Sequence, residues 1–185
     1  MSARVLVAGV GNIFLGDDAF GVEVARRLAD EPLPDGVQVT DFGIGGIHLA
    51  YELLEGYDTV ILVDAMPRGE RPGTVYVTEP ESAPHDRSEA QPNLATAGAI
   101  TDAHSMEPAS VLQMVETLGI STRVVIVGCE PAELDERIGL SPVVAESVDV
   151  AVGAVLALLD EQTRTVGSGR PASMVPGGDA KREES

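Results

Sequence analysis

The chain has 185 residues, 44% of them apolar, with three Phe, three Tyr and no Trp. One domain of this length can bury a sizeable core, and that core has to be Val, Leu, Ile and Ala, the makeup of a parallel sheet covered by helices. A net charge of −18 repels phosphate backbones and anionic lipid, which argues against nucleic-acid and membrane partners, and a single Cys excludes an internal disulfide.

The first apolar run, residues 5–8, reads as a strand ending at Gly9. Nothing before it resembles a signal peptide, and no apolar stretch looks long enough to span a bilayer, so the expected location is the cytoplasm. The loop Gly9-Val10-Gly11-Asn12 leads past Asp17 into a helix that runs to about Ala29, with Phe20, Val24 and Leu28 at helical spacing. Residues 37–41 form the second strand, Gly43, Gly45 and Gly46 a flexible loop, and residues 47–54 a short helix closed by Gly56. The third and most apolar strand is 59–63, and residues 74–78 alternate as an edge strand. A Pro-, Glu- and Ser-rich stretch at 79–99 reads as a mobile loop. A helix at 105–118 and a last strand at 123–128 follow. Ser141 fits the N-cap and Pro142 the first position of a final helix that reaches about Glu161. Residues 163–185 have little to bury and read as a disordered tail, which leaves residues 1–162 as a single domain. Strands alternating with helices predict an α/β sheet with helices on both faces.

Three islands of chemistry stand at the ends of apolar runs: Asp17-Asp18, Asp64, and His104 in the loop ITDAHSME. In an open α/β sheet the ligand crevice lies outside the carboxyl ends of the strands, so these segments can bring carboxylates and an imidazole to one crevice as a divalent-metal constellation. Each has an ordinary structural reading as well. Asp17 fits an N-cap, and Asp18 a first-turn acid favoured by the helix dipole. Asp64 could cap the loop after its strand, although a carboxylate placed there has to be hydrogen-bonded or paired. His104 could be a surface residue beside the helix start, and His48 and His85 read as structural or solvent-facing. Cys129, after VVIVG, reads as a buried inert thiol. Gly9-Val10-Gly11 imitates the start of a dinucleotide fingerprint, with Asp41 as the ribose-binding acid. Phe14 replaces its third glycine, and two carboxylates at the helix start would repel a pyrophosphate.

Together these residues resemble the hydrogenase maturation endopeptidases, which process the large subunit of nickel–iron hydrogenases. The resemblance is carried by GVGNIFLGDDAFGVEVARRL (9–28), DFGIGGIHLAYELL (41–54), DTVILVDAMPRGERPGTVYV (58–77), DAHSMEPASVL (102–112), VVIVGCEP (124–131) and GLSPVV (139–144). It implies a three-layer α/β/α sandwich around a twisted, mostly parallel five-stranded sheet. It also implies that Asp18, Asp64 and His104 are the catalytic and nickel-binding residues. The nickel would be supplied by the large-subunit precursor, whose C-terminal extension is removed once the metal is in place. Two departures stand out. The first ligand in this family is commonly Glu, where this chain has the shorter Asp18. The loop after strand two often reads Gly-Gly-Thr-x-Gly, where this chain has Gly43-Ile44-Gly45-Gly46, a change that bears on which precursor is accepted.

The donor set suits the implied metal, since mixed carboxylate and imidazole ligands bind nickel well. The metal could polarise the scissile carbonyl or activate water, or it could only dock the precursor while a carboxylate acts as general base. A carboxylate tied to a metal is a poorer base, which favours Asp17 or a metal-bound water. A non-enzymatic metal-binding assembly factor for the same precursor and a Rossmann-like nucleotide-binding module are the alternative readings.

Overall fold

The computed structural model describes residues 3–80 and 108–167. His85, His104, most of the loop expected at 79–99 and the chain beyond 167 lie outside the described residues. Among the described residues one sheet contains β1 (Val5–Val10), β2 (Val37–Gly43), β3 (Thr59–Ala65), β4 (Val75–Thr78) and β5 (Arg123–Cys129). Its spatial order is β2-β1-β3-β5-β4. The pairs β1–β2, β1–β3 and β3–β5 are parallel, and β4 runs antiparallel to β5 at one edge. The helices are α1 (Phe20–Ala29), α2 (Gly46–Leu53), α3 (Pro108–Thr117) and α4 (Pro142–Gly167), and a single 3-10 turn, Gly16–Ala19, precedes α1.

Alternation along the central strands divides the core in two. Val5 and Val7 of β1, Ile61 and Val63 of β3, and Val125 and Val127 of β5 face α1 and α4, where they meet Phe20, Val24, Leu28, Val148, Val155 and Leu159. Leu6 and Ala8, Val60 and Leu62, and Val124 and Ile126 face the opposite side and pack on Leu49 and Leu53 of α2 and Val111 and Val115 of α3. A strand buried on both faces has to be apolar at every position, which is why β1, β3 and β5 read as continuous hydrophobic runs. Full burial of a side chain such as Phe20 or Leu28 stabilises the fold by roughly 1.5–3 kcal/mol each. The arrangement is the expected three-layer α/β/α sandwich with a mostly parallel sheet.

The strands continue past their predicted ends. β1 reaches Val10, β2 Gly43, β3 Ala65 and β5 Cys129. The ladder persists through polar and glycine residues, with Asp64 opposite Gly128 and Ala65 opposite Cys129. Asp64 therefore lies inside β3 rather than in the loop after it. Gly43 belongs to β2 and Gly46 to α2, so the expected glycine loop shrinks to two residues.

The last helix also runs further than expected, to Gly167. Its segment Pro142–Gln162 is long and apolar enough by composition to cross a membrane, contrary to the sequence reading. In the fold it is a core helix. Val144, Val148, Ala151, Val152, Val155 and Leu159 are buried in the first core, and the apolar stripe is wide because Val and Ala fill a broad contact with the sheet.

The sheet order fixes where a ligand can sit. From β1 the chain moves outward to β2, then returns to place β3 on the other side of β1. Connections on opposite faces of the sheet leave a crevice at this switch, outside the carboxyl ends of β1 and β3.

Candidate active site

The start of α1 closes one wall of that crevice. A Cβ on Gly21 would collide with the carbonyl oxygens of Val10 and Val63, so only glycine lets the first turn of the helix lie across the ends of both strands. The 3-10 turn Gly16–Ala19 just before it packs against β3. Asp18 on this turn is half-buried, and its Oδ2 accepts the Asn12 N–H at 2.7 Å. Burial holds its pKa above the ordinary 3.8, against the opposing effect of the Asn12 bond. No other hydrogen bond reaches the Asp18 carboxylate among the described residues, which leaves Oδ1 uncommitted.

Asp17 behaves differently. It is fully buried, and the N-cap expected for it does not form: Leu15 precedes the 3-10 turn, Ala19 precedes α1, and neither end has a side-chain cap. Its carboxylate reaches across to the segment between β5 and α4. There Oδ2 accepts the N–H of Ala132 at 2.8 Å, the N–H of Glu133 at 2.9 Å and the Ser141 hydroxyl at 2.9 Å, while Oδ1 accepts the Ser141 N–H at 2.6 Å. Burial alone would raise its pKa, but these donors outweigh it and hold the carboxyl below 3.8. Ser141 does stand just before α4, with Pro142 first in the helix, but its hydroxyl serves Asp17. A buried carboxylate that accepts four hydrogen bonds from the segment it ties down is a structural anion, which argues against Asp17 as the general base.

Asp64 is buried at the end of β3. Across the sheet it faces Gly128, which in turn faces Tyr76 of β4. A Cβ on Gly128 would land in the Tyr76 ring, so the glycine lets the phenol lie flat over β5 beside Asp64. The Tyr76 hydroxyl donates to the Met66 carbonyl at 2.8 Å, and the Arg68 guanidinium stacks 4.5 Å above the ring. Burial pushes the phenol up to about 12, with Arg68 opposing and the Glu130 and Asp64 carboxylates adding to the rise. Glu130 is a further buried carboxylate. It accepts the N–H of Arg68 at 2.7 Å and of Gly69 at 3.2 Å, and so fixes the loop after β3. Burial raises its pKa, and the Arg68, Glu70 and Gly69 N–H groups overcome this and lower it.

Sequence reading missed Glu130 and Tyr76. Glu130 carries the same signal as Asp64, an acid directly after a buried apolar run. Cys129 is buried as expected, its thiol pushed up to about 11 by burial, which makes it inert. His48 is exposed. Asp41 is committed to its own turn, accepting the Gly43 N–H at 2.9 Å with Arg26 3.6 Å away, so it is poorly placed to bind a ribose. No group of three His, Cys, Asp or Glu suited to a metal occurs among the described residues. The expected third ligand, His104, lies outside them.

The model of a family described as hydrogenase maturation protease matches residues 22–158. The chain belongs to the hydrogenase maturation proteases. The hydrogenase 2 maturation protease of Escherichia coli K12 is 32% identical over 161 residues, which cover 85% of this chain and 92% of that protein. The hydrogenase expression/formation protein HupD of Rhodobacter capsulatus is 31% identical over 152 residues, 80% of this chain and 68% of that one. Among solved structures, the hydrogenase maturating endopeptidase HybD from E. coli superposes with a TM-score of 0.66 at 29% identity, covering 85% of this chain and 93% of that one. A hydrogenase 2 maturation peptidase from a Thaumarchaeota archaeon gives 0.64 at 32% identity, covering 85% and 98%. This maturation protease is accordingly a hydrolase, an endopeptidase acting in hydrogenase maturation, and the reading as a non-enzymatic assembly factor falls away.

Proposed function

We propose that this protease acts in the cytoplasm on the large-subunit precursor of a nickel–iron hydrogenase and removes a C-terminal extension once nickel is in place. The observation that carries the reading is the pair of carboxylates at the switch point. Asp18 stands on the turn that packs against β3, and Asp64 within that strand's last two residues. Asp18 has one oxygen held by Asn12 and one uncommitted, the disposition of a carboxylate that orients itself on the protein and offers an oxygen to a substrate. Asp64, Asp18 and His104 would together receive the nickel-bearing end of the precursor. Two carboxylates and an imidazole match a borderline divalent ion that the substrate already ligates in part.

The metal belongs to the substrate, which makes its presence a condition that the protease can read. A precursor without nickel would bring no cation for Asp18 and Asp64 to hold. The four donors on Asp17 argue against it in proton transfer, so the protein's own candidates for that role are Asp18 and Asp64.

The test is conversion of precursor to mature large subunit, read by intact mass, with Asp64→Asn and His104→Ala variants. Each variant should keep the wild-type circular dichroism and thermal transition and lose processing by at least about a hundredfold, the range seen for removal of an acid–base group. Full processing by both would sink the site assignment.

A further inference from the structure

The loop after β1 and the loop after β5 are laced into one unit. Gly16 N–H donates to the Arg137 carbonyl at 2.8 Å, Arg137 N–H to the Phe14 carbonyl at 2.9 Å, and Asp17 N–H to the Glu133 carbonyl at 3.0 Å. The buried Asp17 carboxylate ties the same two segments from beneath. This rigid unit holds a cleft of about 440 Å³ lined by Asn12, Phe14, Leu15, Glu136, Arg137 and Ile138. Phe14 is 61% exposed on backbone bonded at both its N–H and its carbonyl, and Ile138 is 78% exposed directly after the bonded Arg137. Bulky apolar side chains presented on a fixed frame mark a contact surface. The cleft also connects to the crevice. Asn12, at its inner end, accepts the Phe14 N–H on its side chain and donates its own N–H to Asp18.

We infer that the cleft between Phe14 and Ile138 docks the precursor polypeptide itself, taking one bulky apolar side chain with a Lys or Arg next to it. This rests on the proposed substrate and adds where and by what chemistry it is gripped. The apolar anchor follows from Phe14 and Ile138. The basic neighbour follows from charge: Arg137 is already neutralised by Glu133 at 2.7 Å, whereas Glu136 has no basic partner among the described residues. A second copy of the chain is a poor occupant, because it would bring two bodies of charge −18 together.

The experiment compares wild type with Phe14→Ser, Ile138→Ser and Glu136→Lys, and with Val150→Ser, an exposed apolar residue on α4 that serves as control. Two quantities are read on the full-length nickel-loaded precursor: steady-state cleavage, and direct binding to the immobilised precursor. Each cleft variant should weaken binding, Phe14→Ser and Ile138→Ser by about tenfold, with the loss in KM rather than kcat. Glu136→Lys should also flatten the dependence of binding on salt. Unchanged binding and KM in the cleft variants, with active wild type, would overturn the docking site and leave the protease assignment standing. Equal weakening by Val150→Ser would overturn it too. A wild type that binds the precursor without cutting it would count against the proposed function, and the binding series would still decide on the cleft.

Discussion

Asp17 and Asp18 are adjacent in the chain and opposite in environment. Asp17 is buried among four donors; Asp18 is half-buried with one. Replacing Asp17 with Asn keeps the shape but turns an amide NH2 toward backbone N–H groups. Asp17→Asn should lower stability at neutral pH by about 3 kcal/mol, as charged hydrogen bonds are lost and donors stranded. The sign with pH follows from the depressed pKa. Asp17 contributes stability in full above its unfolded value near 3.8, and that contribution disappears as pH falls below it through the folded value. The gap between wild type and variant, measured by urea unfolding at a series of pH values, should therefore close below about pH 3.8. A constant gap would contradict the assignment. Asp18 has the reverse shift, so its carboxylate forms at higher pH than an ordinary aspartate. The acidic pair was legible in the sequence as chemistry, but its division of labour was not. Every partner of the Asp17 carboxylate lies more than a hundred residues away, beyond the reach of a local capping rule. Asp64 was legible because an acid after a buried strand needs a reason, and Glu130 could have been found by the same argument.

At the scale of elements, the carboxyl ends of β3 and β5 and the amino end of β4 form one surface in which Asp64, Gly128 and Tyr76 stand in register. A side chain at position 128 cannot coexist with the present Tyr76 ring. Gly128→Val should expel the phenol, free the Met66 carbonyl and cost about 1–3 kcal/mol through overpacking. Burial pushes both the Tyr57 and the Tyr76 phenol up to about 12. In the variant one of these two phenols should move down toward the ordinary value of about 10 in an absorbance titration. Two phenols still at the high value would mean that the ring has not moved. Strands and helices were legible as apolar periodicities, and their order followed. Their ends were misjudged because Asp64, Cys129 and Gly43 remain in the ladder, and residue type alone does not show whether a neighbouring strand is there to pair with them. The edge position of β4 was legible in its alternation. The α4 helix was misread at both levels: it continues to Gly167, and its apolar length passes for a membrane span until the sheet beneath it is known.

For the whole molecule, two cores share one sheet, and neither face can be lost without exposing the other side of the same strands. Phe20→Ala on one face and Leu53→Ala on the other should each destabilise by about 2–5 kcal/mol. Both should retain a single unfolding transition in which fluorescence and circular dichroism coincide. Separate transitions would show that the faces fold independently. The same architecture explains how distant segments meet: parallel strands place the ends of β1 and β3 side by side at the switch, and α1 lies across them through Gly21. The central claim is that this crevice reads nickel in the precursor before the cut. The direct measurement is co-incubation with nickel-loaded and nickel-free large-subunit precursor, followed by intact-mass spectrometry. Loss of a C-terminal peptide from the nickel-loaded form alone is the predicted result. Equal cleavage of both forms would contradict metal sensing, and cleavage of neither would contradict the choice of substrate.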